Sequence, residues 1–172
     1  MFRKATMHDA AAIAAIYEEI HAAEEAGQVR IGWVRGVYPV RKTAEDAIAR
    51  GEMFVEEAEG RIVAAAKINQ SQEEAYAHAP WQHEAPEAEV MVLHTLVVSP
   101  SVRGAGYGTK FVTFYEQYAL NHGCRYLRMD TNEKNRAARS LYKKLGYREA
   151  GVVPTVFNGI KGVQLVCLEK KL

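Results

Sequence analysis

The chain has 172 residues, a formal net charge of +1 and a hydrophobic fraction of 48%. This length and composition predict one domain over residues 1–172 with a single core, and the small net charge argues against nucleic acid or a membrane surface as a partner. Only two cysteines, no apolar N-terminal signal and no apolar run of membrane length predict a cytoplasmic protein with reduced thiols.

The N-terminal part of the chain predicts a strand followed by two helices. Residues 2–5 have strand character, and Thr6 and Asp9 have capping-box spacing ahead of a helix with one apolar face. Thr43 and Asp46 repeat this spacing, which predicts that a second helix begins there.

The middle of the chain predicts three strands and one long loop. Residues 53–57 and 61–69 predict a hairpin around a turn at 58–60. Residues 70–88 are polar and irregular, and a loop of this length in a compact domain is usually functional or mobile. Residues 89–98 carry the strongest strand pattern of the chain.

The C-terminal part predicts a helix from residue 109, a strand at 126–130, a helix at 135–145 and two last strands at 148–156 and 163–169. Asn158-Gly159 has the composition of a hairpin turn between those last strands. The complete order of elements predicts an α/β fold in which a mixed sheet is covered by helices.

A glycine-rich segment, RGAGYG at 103–108, lies between a predicted strand and a predicted helix. Backbone N–H groups at a helix N-terminus favour an anion, so the segment predicts a phosphate site. A Walker A loop is excluded because Gly104 and Gly108 are too close and Thr109 precedes Lys110. A dinucleotide loop is excluded because the last glycine comes one residue too early.

Two motifs carry a resemblance to a known family. Arg103, Gly106 and Gly108 match R-x-x-G-x-G, and residues 135–147 match N-x-x-A-x-x-L-Y-x-K-x-G-[FY]. In this order, these segments resemble the two cofactor motifs of the GNAT acyltransferase superfamily. The resemblance implies a mixed, mostly antiparallel twisted sheet of about seven strands with about four flanking helices, forming a single N-acetyltransferase domain.

The resemblance also implies acetyl-CoA as the cofactor. The loop would hold its pyrophosphate, the strand at 96–98 would pair with its pantetheine arm, and the Tyr142 hydroxyl would assist the departing thiolate. Asn135 would cap its helix and contact the cofactor. The residues expected at the cofactor are Leu96, Val97, Val98, Arg103, Gly104, Ala105, Gly106, Tyr107, Gly108, Thr109, Asn135, Ala138 and Tyr142.

The base that deprotonates the acceptor amine is less constrained. Related enzymes often place a glutamate on the strand before the loop, but the matching position falls near Val92, which cannot serve. His94 points to the same face two residues later, and an imidazole with a pKa of about 6.5 suits this task. Glu89 and a chain of water molecules leading to solvent are the alternatives.

The acceptor site is expected in the irregular segments, where specificity residues often lie. Trp33, Tyr38, Trp81 and Asp130 are the candidate substrate residues. No metal site is expected, because no carboxylate or cysteine completes a site with the histidines of the 70–88 loop.

These features predict transfer of an acetyl group from acetyl-CoA to a primary amine of a small molecule, by direct attack in a ternary complex. A protein or peptide acceptor and a catalytically silent CoA-binding module are the alternatives. Dimers are common in the resembled superfamily, so a homodimer is expected.

Overall fold

The computed structural model describes residues 1–172 and contains one seven-stranded sheet in the order β1-β2-β3-β4-β5-β7-β6. The strands are β1 Phe2–Lys4, β2 Met53–Ala58, β3 Arg61–Asn69, β4 Val90–Val98, β5 Tyr126–Asn132, β6 Arg148–Phe157 and β7 Ile160–Lys171. The helices are α1 Ala10–Glu25, α2 Arg41–Ala49, α3 Tyr107–Asn121 and α4 Arg136–Lys144. All strand pairs are antiparallel except β4 with β5, which confirms the predicted mixed sheet and its helices. None of the helices has the length and apolar content needed to cross a membrane.

The start of α2 differs from the prediction. The first capping box is present, and Asp9 accepts a hydrogen bond from the Thr6 amide at 2.7 Å. The prediction for Thr43 was wrong, because α2 begins at Arg41 and the Thr43 hydroxyl instead accepts from the amide of Val40 at 3.0 Å. A hydroxyl three residues into a helix can satisfy an amide just before it, so the helix gains a turn at its N-terminus.

The helices cover both faces of the sheet. The side chains of β3 alternate, so that Ala64 and Ala66 belong to the core under α3 and α4 while Ala65 belongs to the core under α1 and α2. This alternation follows from the two-residue period of a strand. The sheet is therefore buried from both sides at its centre.

β4 and β5 separate halfway along their length. Their parallel pairing runs from Val90 with Tyr126 to Leu93 with Met129 and then stops, although both strands continue. On its other edge β4 stays paired with β3 as far as Val98, across a bulge at which Thr95 has φ 53°. Because bulges bend and twist a strand, this one accompanies the separation of β4 from β5 and leaves a wedge-shaped opening in the sheet.

A buried tyrosine of α3 lies at the closed end of this opening. The Tyr115 hydroxyl donates to the carbonyl oxygen of Met91 in β4 at 2.6 Å and lies 3.3 Å from the carbonyl oxygen of Arg128 in β5. Its side chain is fully buried in the core. Tyr115 thus fixes α3 to both strands just before they diverge.

We expect Tyr115→Phe to lower the free energy of unfolding by about 1–3 kcal/mol, because the change removes a buried hydrogen bond and leaves a carbonyl oxygen without its partner. Urea unfolding at pH 7 measures this. Tyr118→Phe is the matched control, because Tyr118 lies on the same helix and its hydroxyl has no hydrogen-bonding partner. This variant should change stability by less than about 0.5 kcal/mol. Equal losses in the two variants would contradict the role given to Tyr115.

Candidate active site

The opening between β4 and β5 forms a cleft that contains both predicted catalytic residues, Tyr142 and His94, and part of the predicted cofactor and substrate residues, but none of the glycine-rich loop. Leu93, His94, Thr95 and Leu96 line one side, and residues 130–132 of β5 line the other. The first turns of α4, the segment before α2 and apolar residues of β6 and β7 complete the walls. The charged or titratable side chains of the lining, other than tyrosines, are Glu73, His94 and Asp130.

The glycine-rich loop follows β4 directly and leads into α3. Gly106 is the N-cap of α3 and has φ 80°, and Gly104 has φ 83°, a conformation that glycine adopts without strain. The amides of Arg103 and Ala105 donate within the loop, to carbonyl oxygens 3.3 Å away. The amides left without a protein acceptor are those of Gly104, Gly106, Tyr107, Gly108 and Thr109.

This pattern refines the predicted phosphate site. Arg103 and Ala105 were expected among the residues that bind the pyrophosphate. Their backbone N–H groups are not free to do so, because they close the turn within the loop. The free donors instead cluster at the first turn of α3, where the helix dipole also favours an anion. A β-carbon on Gly104 or Gly106 would meet nothing within 4 Å, so the space beside these two residues is open.

Gly108 serves packing between two helices. A β-carbon at this position would lie 3.2 Å from Cδ2 of Leu141 in α4. The packing of α3 on α4 is therefore one reason for a glycine at this position of the motif. The absence of a side chain also lets α3 approach α4, which brings the two cofactor motifs together.

The free edge of β4 faces the cleft beyond Leu93. Leu96 lines the cleft, the Val97 side chain is buried in the core under α1 and α2, and Val98 is half-buried against the opposite core. Because β5 has already diverged, the peptide groups along this edge have no neighbouring strand. An extended ligand can hydrogen-bond to such an edge as an added strand would.

Three residues of the second motif reach the cleft from α4. Asn135 caps the helix, and its side-chain oxygen accepts from the Ala138 amide at 3.2 Å. Ala138 and Tyr142 line the cleft on the following turns. Tyr142 is only 6% exposed, and burial, reinforced by the nearby Asp130 charge, raises the pKa of its hydroxyl above the ordinary value. The phenol therefore stays protonated and acts as a hydrogen-bond donor.

His94 lies in the cleft, but both of its ring nitrogens are engaged. Nε2 is 2.8 Å from Oδ1 of Asn69, and Nδ1 is 3.0 Å from Oε1 of Glu73. The Asn69 oxygen also accepts from the Ser71 amide at 3.0 Å, which fixes the orientation of the Asn69 side chain. Because this oxygen can only accept, Nε2 of His94 carries a proton and donates it to Asn69. Burial lowers the pKa of the imidazole, and the Glu73 carboxylate opposes this shift. Direct proton transfer from an amine to His94 would have to break one of these contacts.

Glu73 and Asp130 are the carboxyl groups of the cleft. Glu73 comes from the 70–88 loop, and its contact with His94 lowers the pKa of its carboxyl group despite partial burial. Asp130 is half-buried at the end of β5 and accepts a hydrogen bond from the Tyr76 hydroxyl at 2.6 Å. Burial raises the pKa of Asp130 to about 7, and the hydrogen bond from Tyr76 opposes this rise.

Asp130 therefore has properties that sequence reasoning did not assign to it. It was expected only as a substrate residue, yet a carboxyl group with a pKa near 7 can exchange protons at neutral pH. Glu73 was not predicted as a site residue, because it belongs to an irregular loop without a motif. A long polar loop in a compact domain was the only sequence signal for its role.

The predicted aromatic substrate residues divide into two groups. Trp33 and Tyr38 line the cleft, where the Tyr38 hydroxyl hydrogen-bonds to Thr95 and the two rings meet edge to face at 6.1 Å. Trp81 does not line the cleft, so its prediction as a substrate residue needs correction. Its indole donates to the carbonyl oxygen of Tyr76 at 2.8 Å and its ring stacks under Arg128.

The loop that carries Trp81 packs tightly on the edge strand of the sheet. A β-carbon on Gly151 of β6 would lie 2.7 Å from Cδ of Pro80, so only a glycine allows this approach. Trp81 thereby supports Tyr76, the hydrogen-bond donor to Asp130. Glu89, the alternative base, precedes β4 at the end away from the cleft and cannot reach it.

Comparison with known proteins identifies the family. A family model described as "Acetyltransferase (GNAT) family" matches residues 13–147. The chain belongs to this family. The matched range contains both motifs, the glycine-rich loop and the whole of α4, so the resemblance read from the sequence is confirmed.

Individual GNAT relatives match shorter segments. An uncharacterised N-acetyltransferase of Methanocaldococcus jannaschii is 33% identical over 73 residues, which cover 42% of this chain and 32% of the relative. The thialysine N-epsilon-acetyltransferase of Mus musculus is 39% identical over 57 residues, covering 33% of this chain and 34% of the relative. The chain thus spans about a third of the length of these relatives.

Solved structures match over the whole chain. A GNAT-family acetyltransferase from Streptococcus agalactiae has a TM-score of 0.82 and 26% identity and covers 100% of this chain and 95% of its own. A ribosomal-protein-alanine N-acetyltransferase from Brucella melitensis has a TM-score of 0.72 and 19% identity, covering 100% and 99%. The GNAT fold therefore extends over the whole chain, and an acceptor is named for the Brucella melitensis protein but not for the Streptococcus agalactiae one.

The pKa of Asp130 predicts how stability depends on pH. The unfolded carboxyl group ionises near pH 4, whereas the folded one resists ionisation up to about 7. Burying this group therefore costs nothing below pH 4 and costs progressively more until about pH 7. We expect Asp130→Asn, which can still accept from Tyr76, to raise the melting temperature at pH 8, by on the order of 2–4 °C for each kcal/mol recovered.

Thermal unfolding at pH 4, 6 and 8 measures this effect. The stabilisation of the asparagine variant over the native chain should grow across the series. The exposed Asp46→Asn is the control, because the Asp46 carboxylate lies on the surface of α2, and its difference from the native chain should stay small. A constant difference for Asp130→Asn would contradict a raised pKa.

Proposed function

We propose that residues 1–172 form one acetyltransferase domain that transfers an acetyl group from acetyl-CoA to a primary amine of a small molecule. The observation that carries this proposal is the presence of three features in and next to one cleft. These are the free amides at the start of α3, the open edge of β4, and the Tyr142 hydroxyl. The expected cytoplasmic location and homodimer remain part of the proposal.

The residues present fit acetyl-CoA. The amides of Gly104, Gly106, Tyr107, Gly108 and Thr109 would hold the pyrophosphate, beside glycines that leave the approach open. The free edge of β4 would pair with the amides of the pantetheine arm. Acetyl-CoA supplies an acetyl group activated as a thioester.

Asp130 is the proposed direct proton acceptor for the amine. Its pKa of about 7 lies near the working pH, where a base accepts protons most effectively. The hydrogen bond from Tyr76 holds the carboxyl group in place. Glu73 and His94 form an adjacent pair in the cleft wall, and their contact occupies Nδ1 of His94, so we assign the pair to positioning the acceptor and not to proton transfer.

Group transfer then forms a C–N bond and breaks the C–S bond. The amine proton passes to Asp130, negative charge develops on the carbonyl oxygen, and a backbone N–H of β4 near residues 96–98 would stabilise it. The electron pair of the C–S bond leaves with sulfur, to which Tyr142 donates a hydrogen bond. The raised pKa of Tyr142 makes it a stabiliser of the thiolate more than a strong acid.

The walls of the cleft support a small acceptor. Glu73 and the Tyr76 side chain bring the 70–88 loop against the β5 side of the cleft, and Trp33 and Tyr38 close another side. A peptide acceptor needs an open groove, and this loop crosses that path. The name of the mouse relative also refers to a small-molecule amine, whereas the Brucella melitensis neighbour is named for a ribosomal protein.

The loop geometry predicts the effect of a glycine substitution on cofactor affinity. We expect Gly106→Ala to weaken acetyl-CoA binding about tenfold, because a side chain strains the positive φ and reorients the free amides at the start of α3. Calorimetric titration measures this. Gly123→Ala is matched to it, with φ 75° and open space at the far end of the same helix. It should lose similar stability but keep its affinity.

The binding experiment also tests the function itself. No heat of binding from the native protein at millimolar acetyl-CoA would overturn the proposed function. Equal loss of affinity in the two alanine variants would show that helix stability, not the loop, controls binding.

The proposed roles of Asp130 and Tyr142 predict different kinetic effects. Asp130→Asn should lower turnover on the order of 100-fold or more and remove the rise of kcat/KM through pH 7. Tyr142→Phe should lower turnover while keeping that rise and the affinity for acetyl-CoA. Free-thiol release measured from pH 5.5 to 9 separates the two. A pH profile that is flattened in His94→Gln but intact in Asp130→Asn would instead assign the base to His94.

A further inference from the structure

A second cavity adjoins the catalytic cleft. It shares Tyr38, Glu73 and Thr95 with the cleft and extends from them toward α1, α2 and the central strands. Its remaining walls are formed by Tyr17, Thr43, Asp46, Arg50, Met53, Lys67 and Asn158. None of these residues belongs to the two cofactor motifs, so the proposed cofactor site does not explain the cavity.

Of the four charged residues in the wall of this cavity, only Lys67 lacks an ion-pair partner. Asp46 pairs with Lys42 at 2.8 Å and Arg50 pairs with Glu52 at 3.0 Å, while Glu73 contacts His94. Lys67 is half-buried on β3 and takes part in none of the ion pairs of the chain. A cation in this position lacks a close counter-ion, and partly buried charges favour one.

A second polar group of the wall is also unpaired. Tyr17 is 1% exposed, and its hydroxyl has no hydrogen-bond partner. Buried hydroxyl groups in folded proteins nearly always have partners, so an orphan one beside a cavity indicates a missing ligand group. Lys67 and Tyr17 both donate hydrogen bonds, and an anion accepts them.

The ammonium of Lys67 also lies within electrostatic range of the catalytic groups. Its charge favours the ionised carboxylates of Glu73 and Asp130 and disfavours the protonated ring of His94. A ligand group beside Lys67 would therefore be close to the proposed proton acceptor. One small molecule can reach both places.

We propose that this cavity binds an anionic group of the acceptor, so that the acceptor is an amine bearing a carboxylate or phosphonate close to its amino group, as in a free amino acid. This inference rests on the proposed acetyltransferase function. Lys67 would hold the anionic group, and the amino group would extend past Thr95 to Asp130. Specificity then comes from charge at both ends of the acceptor. The carboxylate of Asp130 attracts its ammonium, and the ammonium of Lys67 attracts its anionic group.

Pairs of probes that differ only in the anionic group test the proposal. L-Methionine, L-phenylalanine and L-lysine are each compared with the amine that lacks the α-carboxylate, and aminomethylphosphonate is compared with methylamine. Free-thiol release with saturating acetyl-CoA gives kcat/KM for each. At least one anionic probe should exceed its partner by tenfold or more. Better use of carboxylates than the phosphonate identifies an amino acid, and the reverse identifies a phosphonate or phosphate compound.

Variants of Lys67 assign the preference to the cavity. Lys67→Met should reduce the ratio of kcat/KM between the anionic probe and its partner about tenfold, and Lys67→Arg should restore most of it. Lys171→Met is the control, because Lys171 is exposed at the end of β7, lies outside both motifs and makes no ion pair, and it should keep the native ratio. Melting temperatures of all variants establish that they are folded.

The inference and the proposed function fail in different ways. Absence of acetyl-CoA binding overturns the function. With binding intact, the inference is overturned if the decarboxylated amines are used as well as the anionic probes, if no anionic probe is acetylated, or if Lys67→Met leaves the ratio unchanged.

Discussion

The divergence of β4 from β5 is the constraint on which the site depends. Two parallel strands that stayed paired would satisfy each other's peptide groups and leave no room between them. The bulge at Thr95 bends β4 away while β3 still holds its other edge, so the sheet opens without losing its continuity. The opening also determines where the two cofactor motifs lie. The glycine-rich loop follows the end of β4, and α4 with the second motif lines the cleft.

Electrostatics in the opening act against stability. Burial raises the pKa of Asp130 to about 7, which means that the folded protein accommodates this carboxyl group more easily in its uncharged form. The same burial that makes Asp130 suitable as a base therefore costs folding free energy at the working pH. Tyr115 at the closed end of the opening and the three hydrophobic clusters that cover the two faces of the sheet offset this cost.

Much of the fold and of the cofactor site could be predicted because both follow local patterns. The alternation of apolar residues identified the strands, and the spacing of Gly106, Gly108 and Tyr142 identified the family. The acid–base groups could not be predicted in the same way, because they depend on contacts between distant segments. Asp130 owes its pKa to burial and Glu73 reaches His94 from an irregular loop. Trp81 looked like a specificity residue, yet it supports Tyr76 from behind.

The hydrogen bond from Tyr76 to Asp130 joins the 70–88 loop to a central strand of the sheet. Asp130 lies in the central strand β5, whereas Tyr76 belongs to a loop that rests on the edge strand β6 through Pro80 and Gly151. The proton affinity of Asp130 is therefore set partly from outside the cleft. A displacement of that edge strand would loosen this hydrogen bond and make Asp130 harder to ionise. The pKa of Asp130 therefore depends on the position of a strand at the edge of the sheet, outside the cleft.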